Sequence, residues 1–214
     1  MKKIYDMHTH IYPEAIAEKA GIALGKFYNF DVECKGTYKD LEEKAESFEN
    51  YGYKTEGFLI FSVATNGRQV EKVNDAAAEK VRLSREHGYD TVGFCGMHYD
   101  YPDFMKEIER CRNELSLRGV KIHPDIQRFD IDSKEMYEIA EIIEGRMPLC
   151  LHMGDPREEY RYSEPKKLSR LLDRFPKLVA IATHMGGYGA WEEARDIFTA
   201  EKISITIFQA PSGL

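Results

Sequence analysis

Hydrophobic and polar positions in this chain follow two rhythms: short, nearly continuous apolar runs, and longer stretches with an apolar residue every three or four positions. The runs predict strands over residues 4–10, 57–64, 91–95, 120–123, 148–152, 178–183 and 203–208. The longer period predicts helices over 40–51, from Asn66 to about 86, onward from Pro102, and over 133–144, 164–174 and 191–200. A short helix is expected over 13–19, opening at Pro13, where a missing amide proton costs nothing. Residues 21–36, which include Phe27, Tyr28 and Phe30, show no clean period. They read as a loop folded over the mouth of the domain, or equally as an aromatic plug. Strands without polar alternation are buried on both faces, and strands alternating with helices make a parallel α/β architecture.

The chemistry in this pattern lies in its histidines. His8 and His10 close the first run two residues apart, so a strand turns both to one face, and Asp6 shares that side. His123, His152 and His184 each close a later run just ahead of a Pro or Gly, and His98 does so more loosely. His87 precedes Gly88 at a helix end and reads as part of a glycine stop. Groups at the ends of several strands meet most easily in a closed barrel, where every C-terminal strand end faces one mouth. The expectation is therefore a (β/α) barrel forming a single domain over residues 1–214. No GxGxxG follows the first strand, which argues against a dinucleotide fold. The pattern supplies only seven strands and the chain has 214 residues. An eight-fold barrel takes ~250 residues, so the barrel is expected to be incomplete or distorted at its C-terminal end.

Composition narrows the partners. A formal charge of -7, without a basic run, argues against nucleic acid, and no apolar stretch is long enough for a membrane span. The four cysteines show no paired spacing, and Cys95 and Cys150 fall inside strand runs as ordinary buried thiols. With no signal segment in view, a cytoplasmic protein acting on a small molecule is expected. An exposed strand edge in an incomplete barrel would favour a homodimer.

The Asp6-Met7-His8-Thr9-His10 segment matches the DxHxH signature of the amidohydrolase superfamily, and the resemblance spans essentially the whole chain. The branch it most resembles holds small metal-dependent hydrolases and enzymes related to aminocarboxymuconate-semialdehyde decarboxylase. The segment 119–124 is similar to that family's strand four, Leu151-His152 to its strand-five ligand, and His184-Met185-Gly186-Gly187 to its strand-six HxGG element. The resemblance implies one divalent metal ion, usually zinc, on His8, His10 and His152, with His184 as general acid/base. Asp6 reads as a carboxylate supporting a ligating imidazole or as a strand-end hydrogen-bond acceptor, rather than as a ligand, and Asp155 lies close behind His152. Lys121 and His123 alternate onto one side and could both face the mouth. Lys121 is also where some relatives carry a carboxylated lysine. Arg157 could clasp a substrate carboxylate or phosphate, or equally form a local ion pair with Glu158 or Glu159. The family's strand-eight aspartate has no counterpart, since no aspartate follows Asp196. Hydrolysis by metal-activated water, non-oxidative decarboxylation, and a metal- or ligand-binding homologue of impaired activity all remain open at this level.

Overall fold

The structure, a computed structural model, describes residues 1–32 and 34–198 and the backbone strand at 205–207. Its strands are β1 (Lys2–His10), β2 (Tyr53–Phe61), β3 (Val92–Gly93), β4 (Cys95–Gly96), β5 (Val120–Ile122), β6 (Leu149–Leu151), β7 (Ala180–Thr183) and β8 (Ile205–Ile207). All pair in parallel, in the order β1-β2-β3 and β4-β5-β6-β7-β8. The expected third strand is thus cut in two at Phe94. The Phe94 amide still donates to Ile60 O on one side, while Cys95 donates to Gly119 O on the other. The break lets one strand pass its hydrogen bonds from β2 to β5, so seven strands make one curved wall.

The curvature can be read from one distance. Five strand-to-strand steps at ~4.8 Å would hold β1 and β7 about 24 Å apart in a flat sheet. Instead the His8 and His184 rings, at the ends of β1 and β7, have centroids 5.2 Å apart. The sheet is rolled as a barrel wall, with its C-terminal strand ends gathered at one mouth. Among the described residues, no ladder joins β8 to β1. The tail at 208–214 lies outside the described residues.

Helices α1 (Glu14–Tyr28), α2 (Tyr38–Ser47), α3 (Val70–Glu86), α4 (Phe104–Asn113), α5 (Pro124–Gln127), α6 (Lys134–Ile143), α7 (Pro165–Arg174) and α8 (Trp191–Ile197) complete the chain. The main core lies between wall and helices, where Val120, Ile122, Leu149 and Leu151 meet Ile139, Ile143, Leu168 and Leu171. Every residue of β5, β6 and β7 is buried. Within β1 only His8 and Thr9 are. Cys95 and Cys150 are buried free thiols, as the strand runs implied. Among the described residues no helix is long and apolar enough to cross a membrane.

The largest departure from the sequence reading is α1, which runs to Tyr28 where a loop from 21 onward is expected. No clean period marks residues 21–36, yet Gly21 and Gly25 with Ala17 form the buried face of the helix. A side chain on Gly25 would come within 2.7 Å of Phe30 O, so the glycines serve close approach to the returning chain. Strand β2 begins at Tyr53, four residues earlier than expected, and ends at Phe61. Strand β7 begins later, at Ala180. Asn66 makes no side-chain cap; Gln69 folds back on Thr65 instead. Helix α4 starts at Phe104 under an Asp103 cap rather than at Pro102, and stops before Leu115. Ser133 caps α6, its hydroxyl accepting from Met136 N. The expected helix over 40–51 is α2, entered through a Thr37–Asp40 capping box, followed by a 3₁₀ turn at Phe48–Tyr51. His87 sits at the end of α3, its Nδ1 2.5 Å from Glu42 Oε1, away from the mouth.

Candidate functional site

The first part of the site is the end of β1. Its register against β2 slips between Asp6 and Thr9, a bulge that leaves Asp6 and Met7 exposed and buries His8. Asp6 Oδ1 accepts the backbone N–H of His8 at 3.0 Å and so holds the bulge, not an imidazole. Of the two roles expected of it, the strand-end acceptor is the one seen, and the bulge carries its carboxylate away from the imidazoles. His8 and His10 do share a face. Their Nε2 atoms lie 3.3 Å apart, and both rings stand edge-on to Phe61. Burial first, then the nearby Lys121, pushes both imidazoles well below their usual pKa. Both therefore present lone pairs at neutral pH. Their Nδ1 atoms are buried without a hydrogen-bond partner.

The second part is built on β5, β6 and β7. Gln127 clasps three strand ends at once: its Nε2 donates to Ala64 O and Met97 O, and its Oε1 accepts from His123 N. His123 caps α5, its Nδ1 accepting the Ile126 amide at 3.4 Å. That acceptor role places the ring proton on Nε2, which donates to the Tyr28 hydroxyl at 2.9 Å. The His152 ring stacks on His123 with centroids 3.9 Å apart. Its Nε2 lies 3.1 Å from the Tyr28 hydroxyl, and its Nδ1 lies 2.9 Å from His184 Nε2. His184 and Met185 both adopt the left-handed backbone region, with φ of 54° and 58°. Such strain in non-glycine residues clusters at functional sites. Burial, with Lys121 adding to it, lowers the His184 pKa to about 4. Gly154, at φ 81°, lets the loop after β6 pass against Tyr188, where a Cβ would meet the Tyr188 amide at 2.5 Å.

Of the charged candidates, Lys121 lies among the histidines of the mouth and Arg157 takes another place. Lys121 is fully buried opposite Cys150, its Nζ 3.8 Å from that sulfur and 4.7 Å from the Phe61 ring centroid. Burial lowers its pKa towards the neutral amine. Arg157 donates from Nε and Nη2 to Asp155 at 2.8 and 2.6 Å, and from Nη1 to Phe27 O at 2.7 Å. Of the two readings of Arg157, the local ion pair is the one seen, with Asp155 rather than Glu158 or Glu159. Asp155 faces that arginine rather than His152. Two residues were missed. Tyr28 was visible only as part of an aromatic run. Asp125 sits two places after His123, fully buried, accepting from Ser163 Oγ at 2.7 Å and Tyr162 N at 3.2 Å. Burial raises its carboxyl to about 7 against the opposing Ser163 bond.

Among the described residues, the one set of three potential ligand atoms within 4.8 Å of one another belongs to His123, Asp125 and His152. The His123 proton argues against that trio: with Nδ1 accepting the Ile126 amide, Nε2 carries the hydrogen given to Tyr28. The β1 pair fits an ion better. Two imidazole nitrogens at ~2.0–2.1 Å on a tetrahedral ion lie about 3.3–3.4 Å apart. The observed 3.3 Å between the Nε2 atoms of these two neutral imidazoles matches.

The fold and motifs have known counterparts. A candidate amidohydrolase from Staphylococcus aureus superposes with a TM-score of 0.61 at 18% identity, over 94% of this chain and 74% of its own. An uncharacterised TIM-barrel protein from Bordetella bronchiseptica gives 0.62 at 17% identity, over 91% and 71%. The 5-carboxyvanillate decarboxylase of Sphingomonas paucimobilis gives 0.60 at 18% identity, over 87% and 68%. None of the curated proteins matches by sequence. The sequence profile of the amidohydrolase family, however, matches residues 5–202, from the β1 histidines past the HxGG turn, and the chain belongs to that family.

Proposed function

We infer that the chain is a metal-dependent hydrolase of a small carboxylate-, amide- or ester-bearing metabolite. One divalent ion, zinc by the character of its nitrogen ligands, is held by His8, His10 and His152. The observation that carries this reading is the 3.3 Å pairing of two neutral Nε2 atoms whose rings have no other hydrogen bond. His152 joins them through Nδ1, the nitrogen on the His184 side. When bound, such an ion supplies Lewis acidity for attack by water on a carbonyl group. His184 sits beside His152 with its ring 5.2 Å from that of His8, so it reaches the centre of the mouth. It takes a proton from the attacking water and returns it to the leaving group. Its strained backbone and the Trp191 Nε1 bond to its carbonyl, at 3.1 Å, hold the ring in that place.

Decarboxylation is the second reading, supported by the likeness in fold to a 5-carboxyvanillate decarboxylase. Here His184 would deliver the proton that replaces carbon dioxide. The two are separated by loading the protein with zinc and offering panels of esters, amides and aromatic or unsaturated carboxylates. Ester or amide cleavage that a His184→Ala substitution reduces by about 10²-fold or more supports hydrolysis. Release of carbon dioxide without hydrolysis moves the assignment to the decarboxylase reading. Turnover unchanged by His184→Ala removes the role given to that residue.

A further inference from the structure

Helix α1 ends directly over the mouth, and its last residue fills it. The Tyr28 hydroxyl bonds to His123 Nε2 and His152 Nε2 at 2.9 and 3.1 Å, so both imidazoles are covered and buried. The C-terminal half of α1 packs on its own returning chain, where a Cβ on Gly25 would meet Phe30 O at 2.7 Å and Val32 at 3.2 Å, while Glu14 at its start pairs with Lys80 and Ile16 and Ile22 are exposed. Behind its C-terminal half lies a cleft of about 640 Å³ lined by Gly21, Gly25, Asn29 and Phe30. Besides the two histidine bonds to Tyr28, Arg157 and Tyr160 hold this end down. Arg157 gives Nη1 to the Phe27 carbonyl, one of the helix's last unpaired acceptors, and its guanidinium lies 4.5 and 4.2 Å from the Phe27 and Tyr160 ring centroids. Asp155 fixes the arginine from the other side.

The geometry points to Tyr28 as the gate residue of this site and to Arg157 as its latch. A ligand oxygen that reaches His123 and His152 takes the place of the Tyr28 hydroxyl, and Phe27–Phe30 lifts towards the cleft to admit it. The inference rests on the histidine mouth being the reactive site, but not on any metal. Arg157 thereby sets access to the site from a position where it contacts no reacting atom.

The test is the rate at which diethyl pyrocarbonate modifies each histidine of the metal-free full chain, read peptide by peptide by mass spectrometry. His87, with 45% of its side chain exposed, is the internal reference. In the wild type, His123 and His152 should react far more slowly than His87. Tyr28→Ala and Arg157→Gln should each speed both by roughly five- to tenfold, the equivalent of losing one or two hydrogen bonds. Tyr28→Phe, which keeps the ring and so guards against simple misfolding, should give a smaller increase. The His87 rate should stay constant throughout. Equal labelling of His123 and His152 in wild type and Tyr28→Ala would overturn the gate. A rate unchanged by Arg157→Gln would overturn the latch. Metal content, measured separately, decides the metal reading without touching either result.

Discussion

The two ends of the rolled sheet hold their histidines in opposite ways. On β5 to β7 the strands are short and wholly buried, and each imidazole has a named hydrogen-bond partner: Ile126 and Tyr28 for His123, Tyr28 and His184 for His152. On β1 most of the strand is exposed, and His8 and His10 meet only each other through Nε2. Hydrogen bonds satisfied within the protein make a rigid frame, whereas buried lone pairs left over mark where something else binds. The contrast supports the proposed division, in which His8 and His10, joined by His152, hold the ion while His123 frames the mouth and His184 transfers protons.

The largest effect should come from the core that supports this difference. Leu151→Ala on β6 is expected to cost about 2–5 kcal/mol, because the fully buried side chain leaves a cavity among close-packed neighbours. Tyr5→Ala on β1, where the residue is half exposed, should stay within about 0.5 kcal/mol. Urea unfolding of both variants checks the pair, and equal losses would erase the comparison.

A smaller effect is expected at the seam where the third strand breaks. Asn74 accepts the Gly96 amide at 2.7 Å and donates to Glu107 at 2.8 Å, and Arg110 donates twice to the same carboxylate. Burial works against the charge on Glu107, but the bonds from Arg110 and Asn74 outweigh it and hold the pKa below the usual value. A carboxyl depressed on folding contributes stability that is present above its unfolded pKa and is lost as pH falls through the folded value. Glu107→Gln should therefore lose roughly 1–3 kcal/mol at neutral pH. The loss should shrink on acidification, since the wild type forfeits the same contribution there. Thermal melting across an acid series reads both. A pH-independent difference would show that the carboxylate's charge plays no part.

The gathering of these histidines was legible in the sequence. The spacing of His8 and His10 gave their shared face, and the apolar runs ending in His123, His152 and His184 gave the shared mouth. What the sequence hid was local. The bulge that turns Asp6 outward leaves no mark in a period-two pattern. Gly21 and Gly25 signal a break by propensity but serve packing. The break at Phe94 depends on which neighbour each amide finds, a property of the assembled sheet. Tyr28 and Asp125 reach the site through tertiary placement alone, and Arg157 is engaged by Asp155 only two residues away.

The smallest expected effect lies in the strained turn after β7. Met185 is half exposed in the left-handed region, so Met185→Gly should raise stability by up to about 1 kcal/mol, read as a modest rise in Tm. A fall would mean that the methionine side chain contributes packing that outweighs its backbone strain.

The division between ligating and framing histidines is tested most directly by zinc content after saturation and gel filtration. Three proteins suffice: the wild type, the His8→Ala/His10→Ala double variant and His123→Ala. The account predicts one ion per chain in the wild type and in His123→Ala, and close to none in the double variant. An ion retained by the double variant and lost from His123→Ala would place the metal on His123, Asp125 and His152, and would contradict it.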